Sequence, residues 1–309
     1  MKVGLVYDDI YLEHNLKGHP ENKDRLIAIV QELDRRGIMK ELLHISPRRA
    51  TAMEVSLNHD PSYIQEIADF CLAGGGYLDP DTYVVSSSYE VALTAVGGVL
   101  EGIDRIISGE VQAIFCAVRP PGHHAEYAKA MGFCIFNNVA IGAHYLLQKG
   151  FERVFIVDFD AHHGNGTQKS FYEDSRVFYF SSHEYPFYPG TGSREERGAG
   201  DGYGFTHNEP LPAGAGDEEF DRVYGKVFPE LFENYKPQFL LVSAGYDAHR
   251  DDPLTYLNLS TEGLGRLVEN LLKSAKNLKV PVLFVLEGGY NLRVLGECVS
   301  LTIKKMLEA

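Results

Sequence analysis

The chain has 309 residues, 44% of them apolar, and a formal net charge of −14, with 43 acidic against 29 basic side chains. This length allows one large α/β domain or two small ones, with ample material for a core. The negative charge argues against non-specific binding of nucleic-acid phosphate and suits cationic partners such as lysine-containing peptides or amines.

The N-terminus and the cysteines bear on location. Cys71, Cys116, Cys134 and Cys298 form no CxxC pair, which argues against a thiolate zinc site and is typical of a reduced cytosol. The first residues read as a strand and not as a signal peptide, and no apolar run reaches the roughly 18 residues of a membrane span. We therefore expect a cytoplasmic protein that does not bind membranes.

Short apolar runs alternate along the chain with longer amphipathic stretches. Runs rich in Val, Ile, Leu and Phe predict buried strands at residues 2–7, 113–118, 153–159, 177–181, 239–243 and 280–286. Amphipathic patterns predict helices at residues 24–36, 89–108, 137–149, 218–234 and 261–277. This alternation predicts an α/β fold with a mainly parallel sheet flanked by helices. No linker or change of composition divides the chain, so we expect residues 1–309 to form a single domain.

Polar side chains beside glycines follow four of the predicted strands. Residues 119–124 read RPPGHH, residues 158–166 read DFDAHHGNG, residues 244–247 read AGYD and residues 287–290 read EGGY. Ligands of open parallel sheets bind outside the carboxyl ends of the strands. We therefore expect these four segments to meet at one site.

The DFDAHH segment has the pattern of a metal site. Asp158, Asp160 and His162 alternate along the chain, so an extended backbone would point all three the same way. Oxygen and imidazole ligands suit zinc, which at catalytic sites keeps three protein ligands and one open position. Asp247, at the end of another strand, is the expected third ligand beside Asp160 and His162. The competing interpretation is a solvated turn at a strand end.

Two further segments carry groups for acid–base chemistry. His123 and His124 follow Pro-Pro-Gly, a stiff turn that fixes their direction. Imidazole is the usual proton carrier near neutral pH, and each ring needs a partner on its far nitrogen, for which Asp158 and Asn165 are available. Tyr290 follows two glycines, which leave room for substrate, and its phenol can donate a hydrogen bond to a developing oxyanion.

Taken together and in order, these motifs resemble a known family. RPPGHH, GFCIFNN, VDFDAHHGNGTQ, SAGYDAH, EGGYN and the N-terminal HPENKDRL segment resemble the histone deacetylase superfamily across residues 7–293. The resemblance is greatest to class II histone deacetylases and to the deacetylase-like amidohydrolases of bacteria and archaea. It implies the arginase/deacetylase fold, with an eight-stranded, largely parallel sheet between helices. It also implies zinc-dependent hydrolysis of acetyl-lysine, or a related N-acetyl amide, to acetate and a free amine.

The resemblance implies roles for the catalytic residues. His124 is similar to the general base and acid of the family, and His123, backed by Asp158, would help to hold charge. Asn165 stands where some members have aspartate, and an asparagine there would make His124 less cationic than an aspartate would. Tyr290 matches the tyrosine that stabilises the oxyanion.

The resemblance also implies two ion sites. One zinc ion per chain would be held by Asp160, His162 and Asp247. A structural potassium ion would lie beside it, with Asp158, Asp160, His162, Ser181 and Ser182 resembling its ligands. Oxygen and nitrogen ligands equally suit iron(II), so the metal used in the cell stays open.

The implied substrate tunnel has two walls. Gly132 and Phe133 match one wall, and Tyr188 falls at the other, where the family often has phenylalanine; its hydroxyl makes that wall less apolar. Leu254 aligns with a gatekeeper position that is acidic in polyamine-selective members, so a leucine there favours acyl-lysine or another neutral stem. Arg25 resembles the arginine behind the active site.

Several alternatives remain. A two-metal ureohydrolase of the arginase type needs a D-x-H-x-D run, and this chain has Gly164 at the last position. An acetylpolyamine amidohydrolase shares the chemistry, and the negative charge, Asp251, Asp252 and Glu21 favour it. An inactive acyl-binding module would typically have lost a ligand or the tyrosine, and all are present here. The oligomeric state is open, with residues 11–17 as a candidate rim or contact loop.

Overall fold

The computed structural model describes residues 1–309 and is organised around one central sheet. Ten strands are formed: β1 (Val3–Val6), β2 (Leu43–Ile45), β3 (Gly75–Tyr77), β4 (Tyr83–Val85), β5 (Ala113–Cys116), β6 (Val154–Asp158), β7 (Val177–Glu184), β8 (Thr206–Leu211), β9 (Phe239–Ala244) and β10 (Val282–Leu286). Eight of them build the sheet in the order β2-β1-β5-β10-β9-β6-β7-β8, and every neighbouring pair is parallel. β3 and β4 pair separately as a small antiparallel hairpin.

Helices flank this sheet in two groups. The α-helices are α1 (Asp24–Arg35), α2 (Ala52–Val55), α3 (Pro61–Leu72), α4 (Ser88–Ile107), α5 (Asn138–Gln148), α6 (Asn165–Ser170), α7 (Asp217–Arg222), α8 (Phe228–Tyr235), α9 (Thr261–Leu278) and α10 (Leu292–Glu308). α4 and α5 pack against one another, whereas α1, α10, α9 and α8 pack in sequence as a second group, and β1 contacts both α4 and α10. No helix combines the length and the apolar character that crossing a membrane requires.

The six strands predicted from apolar runs are all present, and they are the six inner strands of the sheet. Every residue of β5, β6, β9 and β10 is buried, as expected for strands covered on both faces. The prediction missed β2 and β8, which form the two edges. The parallel sheet predicted from the pattern and the eight strands implied by the family resemblance are both confirmed.

Helix boundaries follow local capping signals. The side chain of Asn137 accepts a hydrogen bond from the backbone of Ala140, so α5 begins one residue later than predicted. Ser260 caps α9 in the same way. The predicted helix at residues 218–234 is continuous, but a five-residue π-helix, Val223–Val227, joins α7 to α8. α3 and α10 were not predicted.

Residues 11–17, the candidate rim or contact loop, are only partly exposed, and their role in contacts stays a prediction. Tyr11 is fully buried, and its hydroxyl donates to the carbonyl of Thr94. His14 is also buried and pairs with the hydroxyl of Ser88. Their two carbonyls both accept hydrogen bonds from the buried guanidinium of Arg119, so these two residues belong to the packed interior, whereas Glu13 and Lys17 are exposed.

Candidate active site and metal centre

A cavity of about 270 Å³ opens where the carboxyl ends of the inner strands meet. It is lined by both tandem histidines, His162 and Tyr290, and by every residue predicted for the substrate tunnel: Gly132, Phe133, Tyr188 and Leu254. Asp158 and Asn165 lie behind this lining, each in contact with one of the tandem histidines. The four segments predicted from the strand ends therefore converge on one cavity.

The three residues predicted to hold a metal form one cluster. Ligand atoms of Asp160, His162 and Asp247 all lie within 4.8 Å of one another. The Nδ1 atom of His162 is 3.2 Å from Oδ1 of Asp160 and 2.9 Å from Oδ2 of Asp247. Asp160 and Asp247 are buried, and His162 faces the cavity.

Backbone hydrogen bonds hold this cluster, and they correct one step of the sequence argument. β6 ends at Asp158, whose Oδ1 accepts from the backbone of Asp160, so the chain turns there instead of continuing extended. The backbone N–H of His162 then donates to Oδ1 of Asp160, and that of Ala161 donates to Oδ1 of Asp247. The side chains thus converge because the chain turns tightly, and not because of strand alternation.

The charges of the cluster fit a divalent cation. Burial and the neighbouring carboxylate of Asp160 raise the pKa of Asp247 to about 7. Burial opposes the charge of His162, but Asp160 and Asp247 raise its pKa to about 10. Two buried carboxylates that share one imidazole call for a compensating positive charge. Carboxylate and imidazole bonds to zinc are about 2.0–2.2 Å long, so ligand atoms roughly 3 Å apart suit an ion of that size.

The tandem histidines have different partners. Nδ1 of His123 lies 3.0 Å from Oδ2 of Asp158, and Nδ1 of His124 lies 2.8 Å from Oδ1 of Asn165. Burial opposes the charge of His123, but the carboxylates of Asp158 and Asp160 raise its pKa to about 10. Burial, and then the positive charges of neighbouring histidines, lower the pKa of His124 well below its usual value. The pair therefore combines one cationic ring with one neutral ring.

Glu287 anchors the turn that carries these histidines. Its Oε2 accepts hydrogen bonds from the backbone N–H groups of Gly122, at 2.7 Å, and His123, at 3.2 Å. Ligand atoms of Glu287, His123 and Cys134 also lie close together. These groups are already engaged, since Glu287 binds backbone, His123 binds Asp158, and the Cys134 thiol donates to the carbonyl of Gly132. Asp160 and Asp247 also accept from backbone N–H groups, but with His162 they combine two carboxylates and an imidazole that faces the cavity, and these three residues are the better metal candidates.

The tunnel wall at Gly132 and Phe133 requires an unusual backbone. Gly132 has φ +56°, and a Cβ atom there would lie 2.3 Å from the ring of His124. Phe133 has φ +69°, which is rare for a residue with a side chain and is found at strained functional sites. This backbone conformation places the centre of the Phe133 ring 5.7 Å from the centre of the Tyr290 ring, in an edge-to-face arrangement. On the opposite side, the ring of Tyr188 lies 5.3 Å from that of His124.

Tyr290 is held in place at its backbone and at its ring. Its backbone N–H donates to Oδ2 of Asp252, and the guanidinium of Arg25 lies 5.0 Å from the centre of its ring. Arg25 is itself fixed, because it donates to the carbonyls of Glu287 and Gly289. Burial raises the pKa of the Tyr290 phenol well above its usual value, so the hydroxyl stays protonated and can donate.

The residues predicted for potassium lie beside the cluster. Ser181 pairs in register with Asp158 across β6 and β7. Its hydroxyl, however, binds Nδ1 of His183, and the hydroxyl of Ser182 binds that of Tyr224. The potassium site therefore stays a prediction.

Two cavity residues were missed by the sequence reasoning. Asp81 lines the cavity from the turn between β3 and β4, and burial and the adjacent Asp79 raise the pKa of its carboxyl. Phe187 lines it beside Tyr188. Neither residue lies at the end of an apolar run, so no strand pattern in the sequence identifies them as site residues. Asp81 gives the cavity an acidic group that the tunnel prediction lacks.

Comparisons with known proteins agree with this architecture. The family model of the histone deacetylase domain matches residues 19–306. The chain is 38% identical over 295 residues to a probable deacetylase of Archaeoglobus fulgidus, covering 94% of this chain and 82% of that one. It is 36% identical over 327 residues to histone deacetylase 14, chloroplastic, of Arabidopsis thaliana, covering 98% and 76%. The crystal structure of the HDA15 HD domain matches with a TM-score of 0.94 at 34% identity, covering 99% of this chain and 88% of that one. The chain belongs to the histone deacetylase family.

Proposed function

We propose that residues 1–309 act as one zinc-dependent deacetylase domain that hydrolyses acetyl-lysine, or a related N-acetyl amide, to acetate and a free amine. The observation that carries this proposal is the convergence of Asp160, His162 and Asp247 beside His124 and Tyr290 at one cavity. Metal ligands, a proton carrier and a hydrogen-bond donor in one place are what metal-assisted amide hydrolysis requires.

In this proposal Asp160, His162 and Asp247 hold one zinc ion. When bound, zinc polarises the amide carbonyl and makes a water molecule acidic enough to attack it near neutral pH. Both carboxylates are fixed by backbone N–H groups, so the ligand set is already assembled before the ion arrives. This preorganisation is expected to favour tight binding of a single ion.

His124 carries the proton in the proposed reaction. Its Nδ1 is engaged by Asn165, which leaves Nε2 as the basic atom. Nε2 takes a proton from the attacking water as the new C–O bond forms, and it returns that proton to the amine nitrogen as the C–N bond breaks. His123 stays cationic against Asp158 and keeps a positive charge beside the reacting carbonyl.

Tyr290 is the proposed hydrogen-bond donor to the carbonyl oxygen as negative charge develops on it. Its phenol stays protonated, and Arg25 and Phe133 restrict its ring. One such donor is typically responsible for about 10²–10³ in kcat. Phe133 and Tyr188 are the proposed walls for the methylene stem, with Leu254 near the mouth.

A second substrate class is favoured by one observation. Asp81 places a carboxyl group in the lining of the cavity, and the chain has a net charge of −14. An acetylated polyamine carries further ammonium groups that such a surface attracts. Leu254 in the lining argues in the other direction, since it offers no charge to an ammonium group. We place acetyl-lysine first and acetylpolyamine second.

The two remaining alternatives have less support. A two-metal centre needs a carboxylate at position 164, but a Cβ atom on Gly164 would lie 2.2 Å from Oδ2 of Asp158 and 2.7 Å from the hydroxyl of Tyr179. An inactive binding module is disfavoured because no catalytic group is missing.

The predicted potassium ion and the predicted cytoplasmic location stay predictions. The relative from Arabidopsis thaliana is named as chloroplastic.

A screen of acyl-amides against the zinc-loaded protein tests the proposal. Acetyl-lysine peptides, N-acetylputrescine and lysine peptides with longer acyl groups are compared by kcat/KM, with Tyr290→Phe as the control. We expect acetyl-lysine peptides to be the best substrates and Tyr290→Phe to lose roughly 10²–10³ in kcat. A strong preference for N-acetylputrescine would instead establish the polyamine alternative. Absence of turnover on every amide, or a fully active Tyr290→Phe variant, would contradict the proposed mechanism.

A further inference from the structure

A second cavity, of about 330 Å³, lies beside the one described above. It is enclosed by α3, the β3–β4 hairpin and the loop at residues 126–131, and six of its eight lining residues are apolar. Phe70 and Leu78 are large apolar residues of its lining, and Ala128 and Ala130 line it from the loop. We call this cavity the flanking pocket. The proposed catalytic reaction uses none of these side chains.

The flanking pocket and the active-site cavity are lined by neighbouring parts of the same two segments of the chain. Leu78 lines the first and Asp81 the second, while Ala130 lines the first and Phe133 the second. The residues of each pair are three positions apart, so their Cα atoms lie at most about 10 Å from one another. Thr82 ties the two segments together, because its carbonyl accepts from the backbone of Leu78 and its hydroxyl accepts from the backbone of Phe133.

We propose that the flanking pocket binds an apolar side chain of a peptide or protein substrate, located roughly two to four residues from the acetylated lysine. The inference rests on the proposed deacetylase function and names the substrate class as a polypeptide. A lysine stem in the active-site cavity brings the neighbouring residues of its own chain within reach of the flanking pocket. A small polyamine has no group to fill it.

Size and charge support this occupant over a second copy of the protein. A stable interface uses about 20–30 residues on each side, whereas eight residues line this pocket. Its two charged members are Glu66, whose carboxylate accepts hydrogen bonds, and Lys129, whose ammonium group donates them. They can meet the N–H and carbonyl groups of an extended peptide beside its apolar side chain.

Pairs of acetylated peptides test the inference. Each pair carries leucine or serine at one position, from one to four residues before or after the acetyl-lysine, and kcat/KM is measured with the zinc-loaded full chain. Acetyl-lysine amide without neighbours is the reference. We expect leucine to raise kcat/KM at least fivefold at one position, mainly through KM, because it is buried on binding.

Two lining variants and one matched control locate the effect. Ala128→Phe fills the pocket and is expected to abolish the leucine preference, and Phe70→Ala, which removes a wall, is expected to weaken it. Leu72→Ser alters a side chain that is 86% exposed at the end of the same helix but does not line the pocket, so it should keep the preference. Unchanged turnover of acetyl-lysine amide shows that each variant is folded.

The results that would contradict this inference can be distinguished from those that would contradict the proposed deacetylase function. If leucine and serine peptides react equally at every position while acetyl-lysine amide is turned over, the flanking pocket has no such role and the deacetylase function stands. If both Ala128→Phe and Phe70→Ala keep the full preference, the apolar residue binds elsewhere and the inference is wrong. If the wild type turns over no acetylated substrate at all, the proposed function fails, and this inference fails with it.

Discussion

His124 and Asn165 are joined by a hydrogen bond whose direction is fixed by a third residue. Oδ1 of Asn165 lies 2.8 Å from Nδ1 of His124, while Nδ2 of Asn165 donates to the carboxylate of Glu126 at 3.0 Å. A carboxylate only accepts, so the amide cannot be reversed, and Nδ1 of His124 must carry the proton. The opposite nitrogen, Nε2, is therefore the one with a free lone pair.

Asn165→Ala removes the partner that holds His124 in this form. We expect kcat/KM to fall by about 10–100-fold, which is typical when a residue that orients a catalytic ring is lost. Steady-state turnover of an acetyl-lysine peptide measures the effect, and zinc content should remain at the wild-type level, because no metal ligand is altered. A variant with full activity would show that Asn165 does not orient the ring.

Asn165→Asp provides a sharper form of the same test. An aspartate has no N–H to donate, so it would place two carboxylates about 3 Å apart at residue 126 and residue 165. We expect it to be less active and less stable than the wild type. Glu126→Gln removes one of the two charges, so the double variant should recover much of the loss, which a double-mutant cycle detects as coupling. Purely additive effects would contradict this prediction.

The difference between the predicted and observed strands follows from burial. The inner strands are covered on both faces and must be continuous in apolar residues, which makes them visible in the sequence. The edge strands are not so constrained: β2 has only three residues, and β8 reads Thr206-His-Asn-Glu-Pro-Leu211. Such segments join the sheet through backbone hydrogen bonds that do not require apolar side chains, so no side-chain pattern identifies them.

The same distinction explains what could be predicted of the site. Asp160, His162 and Asp247 follow strands, and the position of a strand end can be read from apolar runs. Glu287 was noticed at a strand end, but its role depends on backbone N–H groups 165 and 164 residues away. Asp81 reaches the cavity through a hairpin that packs from outside the sheet. Long-range contacts of this kind have no signature in local spacing.

Glu287 is expected to be a positioning residue for the tandem histidines. Glu287→Ala would leave the backbone N–H groups of Gly122 and His123 buried without acceptors, at a cost of about 1–3 kcal/mol each. We expect lower stability in urea and a clear loss of kcat, because the turn that carries His123 and His124 is no longer fixed. Glu287→Gln keeps an acceptor oxygen and should retain most of the stability. Equal behaviour of the two variants would contradict this role.

Asp247 is expected to have opposite effects on stability with and without metal. In the metal-free protein, its carboxylate is buried beside that of Asp160, with one imidazole between them. Asp247→Asn removes one of these charges, so under a chelator we expect the variant to unfold at a higher temperature than the wild type. With zinc the order should reverse, because a ligand present at 100 times its Kd stabilises the wild type by about 2.7 kcal/mol.

Elemental analysis accompanies this experiment. We expect one zinc ion per wild-type chain and a much smaller fraction in Asp247→Asn, together with loss of turnover. Two manganese ions per chain would instead favour the ureohydrolase alternative. A variant that is less stable than the wild type under the chelator would show that the two carboxylates do not oppose one another.

His59, which is not part of the metal cluster, is expected to reduce stability at acid pH. Its Nε2 accepts from the backbone N–H of Asn137 at 2.8 Å, and its Nδ1 donates to the carbonyl of Tyr127 at 3.3 Å. Both nitrogens are engaged in the neutral form, and protonation of Nε2 would break the bond to Asn137. Burial accordingly lowers the pKa of His59 from 6.5 to about 4.

The sign of the effect follows from proton binding. Between pH 6.5 and 4 the unfolded chain takes up a proton at His59 that the folded chain does not, so the free energy of unfolding decreases as the pH falls through this range. The limiting slope is about 1.4 kcal/mol per pH unit, and the total effect is on the order of 3 kcal/mol.

His59→Gln cannot take up this proton, so its free energy of unfolding should depend less steeply on pH. Urea unfolding at pH 7 and pH 5 measures both slopes, with His44→Gln, at an exposed position on β2, as the control that keeps the wild-type slope. Identical slopes for His59→Gln and the wild type would mean that folding does not lower the pKa of His59, which would contradict the hydrogen bonds described for its two nitrogens.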